Sequence, residues 1–242
     1  METTRRLTRF AAEWLEPLVR LVYPHVCAVC HGSLVDGEDV ICLTCLSRLP
    51  RTHIHTDSFN MLHQRLASPG VPVEKAGAWF HYLRGNEFSS IIHDAKYHGM
   101  APIARKCGAM YAQETAADGF FDGVDMLLPV PMHESKLIRR GYNQAREVAE
   151  GIGNVTGIPV GDHLTAVKAH GTQTRKNAWQ RWLNARDTYC VERPGELAGK
   201  HVMVVDDVVT TGATILACLT ALHRNVPGVV TSVAALAATL RQ

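Results

Sequence analysis

The stretch from His201 to Thr214, HVMVVDDVVTTGAT, constrains the fold more than any other part of the chain. It opens with a short run, His201 to Val205, rich in β-branched residues, which suits a strand buried on both faces. Two carboxylates follow, Asp206 and Asp207, and then Val208 and Val209. Thr210, Thr211, Gly212, Ala213 and Thr214 make a loop of small residues, after which Ile215, Leu216, Leu219 and Leu222 follow a helical pattern. Strand, acidic pair, Thr/Gly loop and helix in that order make a phosphate cradle. Backbone N–H groups of the loop and of the helix N-terminus face an anion, threonine hydroxyls add donors, and Gly212 lets the backbone approach the ligand. An ordinary core strand and turn would explain the apolar run but not the order of acids, threonines and glycine.

The acidic pair describes the ligand's other end. Carboxylates beside a phosphate loop repel a bare phosphate. They suit ribose hydroxyls, or Mg2+, which keeps several waters and takes one or two carboxylates. A 5-phosphate, two ring hydroxyls and a Mg2+-bound pyrophosphate occur together in phosphoribosyl pyrophosphate (PRPP). The stretch resembles the PRPP-binding signature of type I phosphoribosyltransferases: four apolar residues, two acids and a Thr-Gly loop. That resemblance implies catalytic roles for Asp206 and Asp207, and PRPP contacts from Val208, Thr210, Thr211, Gly212, Ala213 and Thr214.

At 242 residues the chain is one mid-sized domain with an appendage, or two small domains. A hydrophobic content of 46% supports a sizeable core, and a net charge of +2 neither demands nor excludes nucleic acid. No apolar run is long enough for a membrane span, and no signal-peptide pattern opens the chain, so a cytoplasmic protein is expected. Its seven cysteines are then thiols or metal ligands rather than disulfides.

Residues 1–23 follow an amphipathic helical pattern through Leu7, Phe10, Trp14, Leu18 and Leu21, ended by Pro24. A helix packed on the next module accounts for it better than a membrane or partner anchor. Cys27-Ala-Val-Cys30 and Cys42-Leu-Thr-Cys45 then form two C-x2-C pairs. Each pair presents two thiolates to one side, and together they complete the tetrahedral shell of a structural Zn2+ site. Such a closed shell has no open position for catalysis. Residues 46–75 read as a solvated linker with scattered His53, His55 and His63, and Pro69, Gly70 and Pro72 mark a boundary.

Beyond it, strands and helices alternate. Ala76–Leu83 reads as a strand, Phe88–Lys96 and Ala101–Ala117 as helices, and Met126–Pro131 as a second short strand. Lys96 either partners its helix C-terminus or reaches an anionic ligand. Lys136, Arg139 and Arg140, following the Met126 run, suit a pyrophosphate-facing loop, with a solvated basic face as the alternative. A helix from Asn143 to Val155 turns Ala145, Val148, Ala149 and Ile152 inward, and Ile158–Leu164 reads as another strand. Residues 168–184 are polar and cationic. Arg175, Lys176 and Arg181 suit a lid over pyrophosphate, and Trp179 beside them suits stacking on single-stranded nucleic acid. A helix burying Trp179, Trp182 and Leu183 explains the same spacing equally well. A helix from Thr214 to Arg224 and a strand from Val229 to Ala235 complete the pattern, while Cys107, Cys190 and Cys218 read as buried filler.

This alternation predicts an α/β fold, an open, mostly parallel sheet flanked by helices, with a small N-terminal four-cysteine zinc-binding module. The expected division is 1–60 for the N-terminal helix and zinc module, 61–75 for a linker and 76–242 for the phosphoribosyltransferase domain. Ligands in such sheets bind at the carboxyl ends of the strands, where the loops after Pro129 and after Asp207 can meet.

Together, the four-cysteine module, Lys96-Tyr-His-Gly99, Pro-Val-Pro followed by Arg-Arg-Gly-Tyr-Asn-Gln, Thr172-Gln173 with Arg181 and Asn184, and the Asp206–Thr214 motif resemble the ComF family. These are phosphoribosyltransferase-like proteins of the competence protein ComFC or GntX group. The resemblance implies a type I phosphoribosyltransferase fold with PRPP and Mg2+, and a part in natural transformation or DNA use, handling incoming single-stranded DNA in the cytoplasm. Two functions follow. One is an enzyme transferring the phosphoribosyl group to an acceptor. The other is a non-catalytic protein that binds single-stranded DNA and docks DNA-processing partners on the same scaffold.

Overall fold

The computed structural model describes residues 26–97, 101–166 and 188–240, with the backbone alone at 94–97. The chain divides into two compact units between Leu49 and Pro50. Within the first, the described residues hold an isolated antiparallel bridge, Val26 with Ser33, and a short helix α1, Leu43–Ser47. The predicted helix over 1–23 lies outside the described residues.

The second unit is built on a four-stranded sheet of β1 (Ala76–His81), β2 (Met126–Pro129), β5 (His201–Val209) and β6 (Val230–Ala238). Its order is β1-β6-β5-β2 and every pairing is parallel. Parallel neighbours need long crossovers, and the chain supplies them as helices. After α2 (Met61–Leu66) and β1, helices α3 (Ser89–Tyr97) and α4 (Ala101–Thr115) carry the chain from one edge of the sheet to β2 at the other. Helices α5 (Glu134–Arg140) and α6 (Gln144–Thr156) follow β2, and α7 (Ala213–Asn225) joins β5 to β6.

The hydrophobic patterning explains both faces. Val202, Met203, Val204 and Val205 are completely buried. Alternate strand residues point to opposite faces, so both sides of β5 must be covered. Val202 and Val204 join one apolar cluster with Ile215, Cys218, Leu219 and Leu222 of α7. Helix α6 packs on β5 and β2 and buries Ala145, Val148, Ala149 and Ile152, the four positions its periodicity predicts. Burying one such valine or leucine contributes about 1.5–3 kcal/mol relative to leaving it in water.

Three expectations are corrected. Residues 46–75 are not a solvated linker, and the units part at 49–50 rather than near 60. Thr52 N–H donates to the Trp79 carbonyl and His81 N–H to that of Pro50, so this segment pairs beside β1. The Asn60 side chain donates to the Ala76 carbonyl at 2.7 Å and caps α2, whose Leu62 and Leu66 have no exposed surface. A helix of six residues offers too few turns for its period to be read, which is why sequence pattern missed it. The strand expected at 158–164 splits. Val160 makes one parallel bridge to Leu127, and Leu164–Ala166 becomes β3, paired antiparallel with β4 (Tyr189–Val191) in a separate ribbon. Finally, Cys107 and Cys218 are buried but Cys190, on the open ribbon, is exposed.

Helices α4 and α6 cross backbone to backbone through two glycines. A Cβ on Gly108 would overlap the Val148 carbonyl oxygen, and one on Gly151 would overlap the Arg105 carbonyl oxygen and lie 2.8 Å from the Ala109 nitrogen. Gly151→Ala should therefore lower unfolding stability by about 1–3 kcal/mol through overpacking, despite alanine's better helix propensity. Urea denaturation checks this; a variant as stable as the parent would contradict the close crossing.

Candidate functional site

The carboxyl ends of β2 and β5 are adjacent, since Pro129 pairs with Val205 in the parallel ladder. The chain leaves both strands into one cavity of about 440 Å3. Asp206, Asp207, Val208 and Thr214 line it from the β5 side, and Lys136, Arg140, Asn143 and Gln144 from the β2 side. Acids and cations distant in sequence thus meet where parallel sheets bind ligands. A recess of similar volume, about 450 Å3, is lined by Phe59, His63, Leu66 and Val71 among others and carries no carboxylate, lysine or arginine.

Asp206 and Asp207 are the last part of the β5 strand rather than a loop after it: Asp206 still pairs in register with Ala235. Each carboxylate accepts the next backbone N–H, Asp207 N–H to Asp206 Oδ1 and Val208 N–H to Asp207 Oδ1, both at 2.8 Å. These bonds hold the carboxylates at the strand end. Beyond Val209, Thr210, Thr211, Ala213 and Thr214 are exposed, and Gly212 is buried at φ +79°. Gly212 is the N-cap of α7 and no side chain caps it. The first N–H groups of a helix have no intrahelical partner, so this end is suited to an anion.

On the opposite wall Asn143 does two jobs. Its amide donates to the Val130 carbonyl at 2.9 Å, and its oxygen accepts from Ala145 N–H, capping α6. The Arg-Gly-Tyr-Asn-Gln block is thereby pinned to the end of β2. Arg140 donates through Nη1 to Gln144 Oε1 at 3.1 Å, while its Nε is buried with no hydrogen-bond partner. A buried guanidinium N–H without an acceptor costs about 1–3 kcal/mol, so an anionic ligand that supplied one would be favoured.

The structure brings together most, not all, of the residues singled out from sequence. Lys136 and Arg140 lie one helical turn apart and both line the cavity; Arg139, exposed on the same helix, does not. Thr210, Thr211, Gly212 and Ala213 form the loop between two lining residues without lining the cavity themselves. Lys96 lies in α3, and its side chain is outside what the structure describes. Arg175, Lys176, Trp179 and Arg181 lie outside the described residues, although Ala166 and Thr188, on either side of that stretch, both line the cavity. Tyr189, not anticipated, also lines it. Burial, followed by neighbouring Cys218 and Asp206, pushes its hydroxyl up to about 12. Its position in a three-residue strand gave no pattern to find it by.

In the first unit, Cys27, Cys30, Cys42 and Cys45 bring their sulfurs within 4.8 Å of one another. Cys30 and Cys42 Sγ are 3.8 Å apart. A tetrahedral four-thiolate shell with bonds of about 2.3 Å separates its sulfurs by about 3.8 Å, so the spacing suits a metal ion. Backbone N–H groups of Val29 and Cys42 point at Cys27 Sγ, at 3.4 and 3.3 Å. Burial raises the Cys27 thiol, but N–H groups of Cys30, Cys42 and Val29 outweigh it and bring the thiol down to about 7. These N–H groups thus favour a thiolate at Cys27, the form that binds metal, whereas burial and the neighbouring thiols push Cys45 up.

Comparison with known proteins agrees with this architecture. Residues 137–240 match the phosphoribosyl transferase domain. The DNA utilization protein YhgH of Salmonella typhimurium is 27% identical over 217 residues, 85% of this chain and 93% of that protein. Competence protein F of Haemophilus influenzae is 31% identical over 93 residues, 38% of this chain and 41% of that one. These matches support a ComF-family, phosphoribosyltransferase-like protein. Among solved structures, the allosteric regulatory enzyme of purine biosynthesis matches 56% of this chain and 25% of its own, at 25% identity and a TM-score of 0.38. The type I phosphoribosyltransferase fold rests on the domain match and on the parallel sheet. Among the described residues, no helix is long and apolar enough to cross a membrane.

The cysteine inventory yields a direct test. With metal bound, Cys190 should be the one described thiol that reacts rapidly with a chromogenic thiol reagent, because Cys107 and Cys218 are buried and the other four are ligands. A strong chelator should expose those four. Rapid reaction of the four before chelation would contradict the metal centre.

Proposed function

We propose that this protein is a member of the ComF family that binds PRPP with Mg2+ and acts as a phosphoribosyltransferase-like component of DNA uptake in the cytoplasm, handling incoming single-stranded DNA. The observation that carries the reading is the convergence of Asp206, Asp207, Lys136 and Arg140 on one cavity beside the Thr210–Thr214 loop. Names of the relatives, DNA utilization protein and competence protein, support the cellular role.

In this reading the 5-phosphate sits on the loop and the N-terminus of α7. Asp206 and Asp207 accept the ribose hydroxyls, and their hard oxygens suit Mg2+. The pyrophosphate lies toward Lys136 and Arg140, where the unpartnered Arg140 Nε gains an acceptor. An acceptor nucleophile attacks C1 of the ribose, the C1–O bond breaks, and pyrophosphate leaves with the electron pair. Negative charge grows on the leaving oxygens, so Lys136 and Arg140 stabilise the transition state more than the ground state. Bound Mg2+ supplies further neutralisation of that charge. In the first unit the four thiolates hold a structural Zn2+, whose closed shell takes no part in transfer.

Calorimetric titration tests the reading. PRPP with Mg2+ should bind the wild type saturably, and Asp206→Asn with Asp207→Asn should weaken it at least about tenfold, the factor that corresponds to ~1.4 kcal/mol. A folded wild type that binds no PRPP would overturn the proposal.

A further inference from the structure

We infer that Arg65, on the helix ahead of the sheet, is a positioning residue for the 5-phosphate loop and orients the Thr210–Thr211 peptide toward the ligand. The inference rests on the PRPP reading above and assigns a part of that site not found by sequence.

The β5–β6 ladder ends at Val209 and Ala238, with Thr239 N–H donating to the Val209 carbonyl at 2.9 Å. One residue further, each strand presents a carbonyl that the ladder does not pair. Arg65 Nη1 donates to both, to the Thr210 carbonyl at 2.7 Å and to the Thr239 carbonyl. The guanidinium thus continues the sheet past its last backbone bond. The stem of Arg65 matters as well. A Cβ on Gly212 would stand 3.3 Å from Arg65 Cγ and 3.0 Å from Leu66 Cδ2, so α2 packs directly against the loop's glycine.

A trans peptide points its C=O and N–H in opposite directions. Holding the Thr210 oxygen toward α2 therefore turns the Thr211 N–H away from α2, to the exposed side of the loop. Thr210 and Thr211 are both exposed there. A charge-assisted bond on the carbonyl also polarises the peptide and strengthens its N–H as a donor. Without the guanidinium, this peptide plane would be free to rotate, and the cradle would lose the preset direction of one donor. Preorganisation of this kind favours the bound state without direct contact.

The test separates the two ends of the ligand. Ribose 5-phosphate probes the loop; Mg2+-pyrophosphate probes the Lys136 and Arg140 side. Arg65→Met keeps a long apolar stem and removes both bonds. It should weaken ribose 5-phosphate binding about tenfold or more while changing Mg2+-pyrophosphate affinity less than about twofold. Arg65→Lys, which restores a cationic donor, should recover much of the loss. Ribose 5-phosphate binding unchanged in Arg65→Met would overturn the inference and leave the PRPP reading standing. Equal loss of both probes, without recovery in Arg65→Lys, would assign Arg65 a general structural role and also overturn it. A wild type binding neither probe would remove the PRPP reading and this inference together.

Discussion

The parallel pairing of β5 with β2 on one side and β6 on the other is the constraint on which the site depends. Parallel register puts all carboxyl ends at one edge. Everything polar that follows those strands is therefore delivered to the same place, whatever its distance in sequence. The acids end β5, the cations follow β2, and the β6 terminus supplies a carbonyl beside the Thr/Gly loop. A shift of one residue in the β5 pairing would exchange the faces of the entire strand, its acids included. The same slip would carry Asp206 out of the cavity.

What sequence revealed depended on pattern length. The apolar run of β5 and the helical patterns of the thirteen-residue α6 and α7 were long enough to read, and Val202 to Val205, Ala145, Val148, Ala149, Ile152, Ile215, Leu219 and Leu222 are buried as expected. The Thr-Gly loop ahead of α7 and the clustering of the cysteine pairs were legible for another reason: each rests on particular residue types at short spacing. The meeting of Asp206 and Asp207 with Lys136 and Arg140 on one cavity followed once the strands were read as parallel.

Short elements and long-range contacts were not legible. Helix α2 has six residues and looked like linker, yet it buries Leu62 and Leu66 and sends Arg65 to a carbonyl 145 residues away. No local signal announces such a pairing. Arg139 shows the opposite limit. It shares a cationic run with Arg140, but helical geometry turns Arg140 and Lys136 to the cavity and leaves Arg139 outside. Composition groups neighbours that a helix then separates. Cys190 follows the same rule in a strand, where alternation on an open two-stranded ribbon exposed a residue its apolar neighbours had suggested was buried.

The central claim is that the cavity at the carboxyl edge of the sheet and the Thr210–Thr214 loop beside it together receive the three parts of PRPP. A crystal structure of the protein with PRPP and Mg2+ tests it most directly. The account predicts the 5-phosphate against Thr210 to Thr214, the ribose hydroxyls on Asp206 and Asp207, and the pyrophosphate beside Lys136 and Arg140. PRPP held elsewhere, such as the recess beside Phe59 and His63, or an empty cavity at concentrations that saturate the protein in solution, would contradict it.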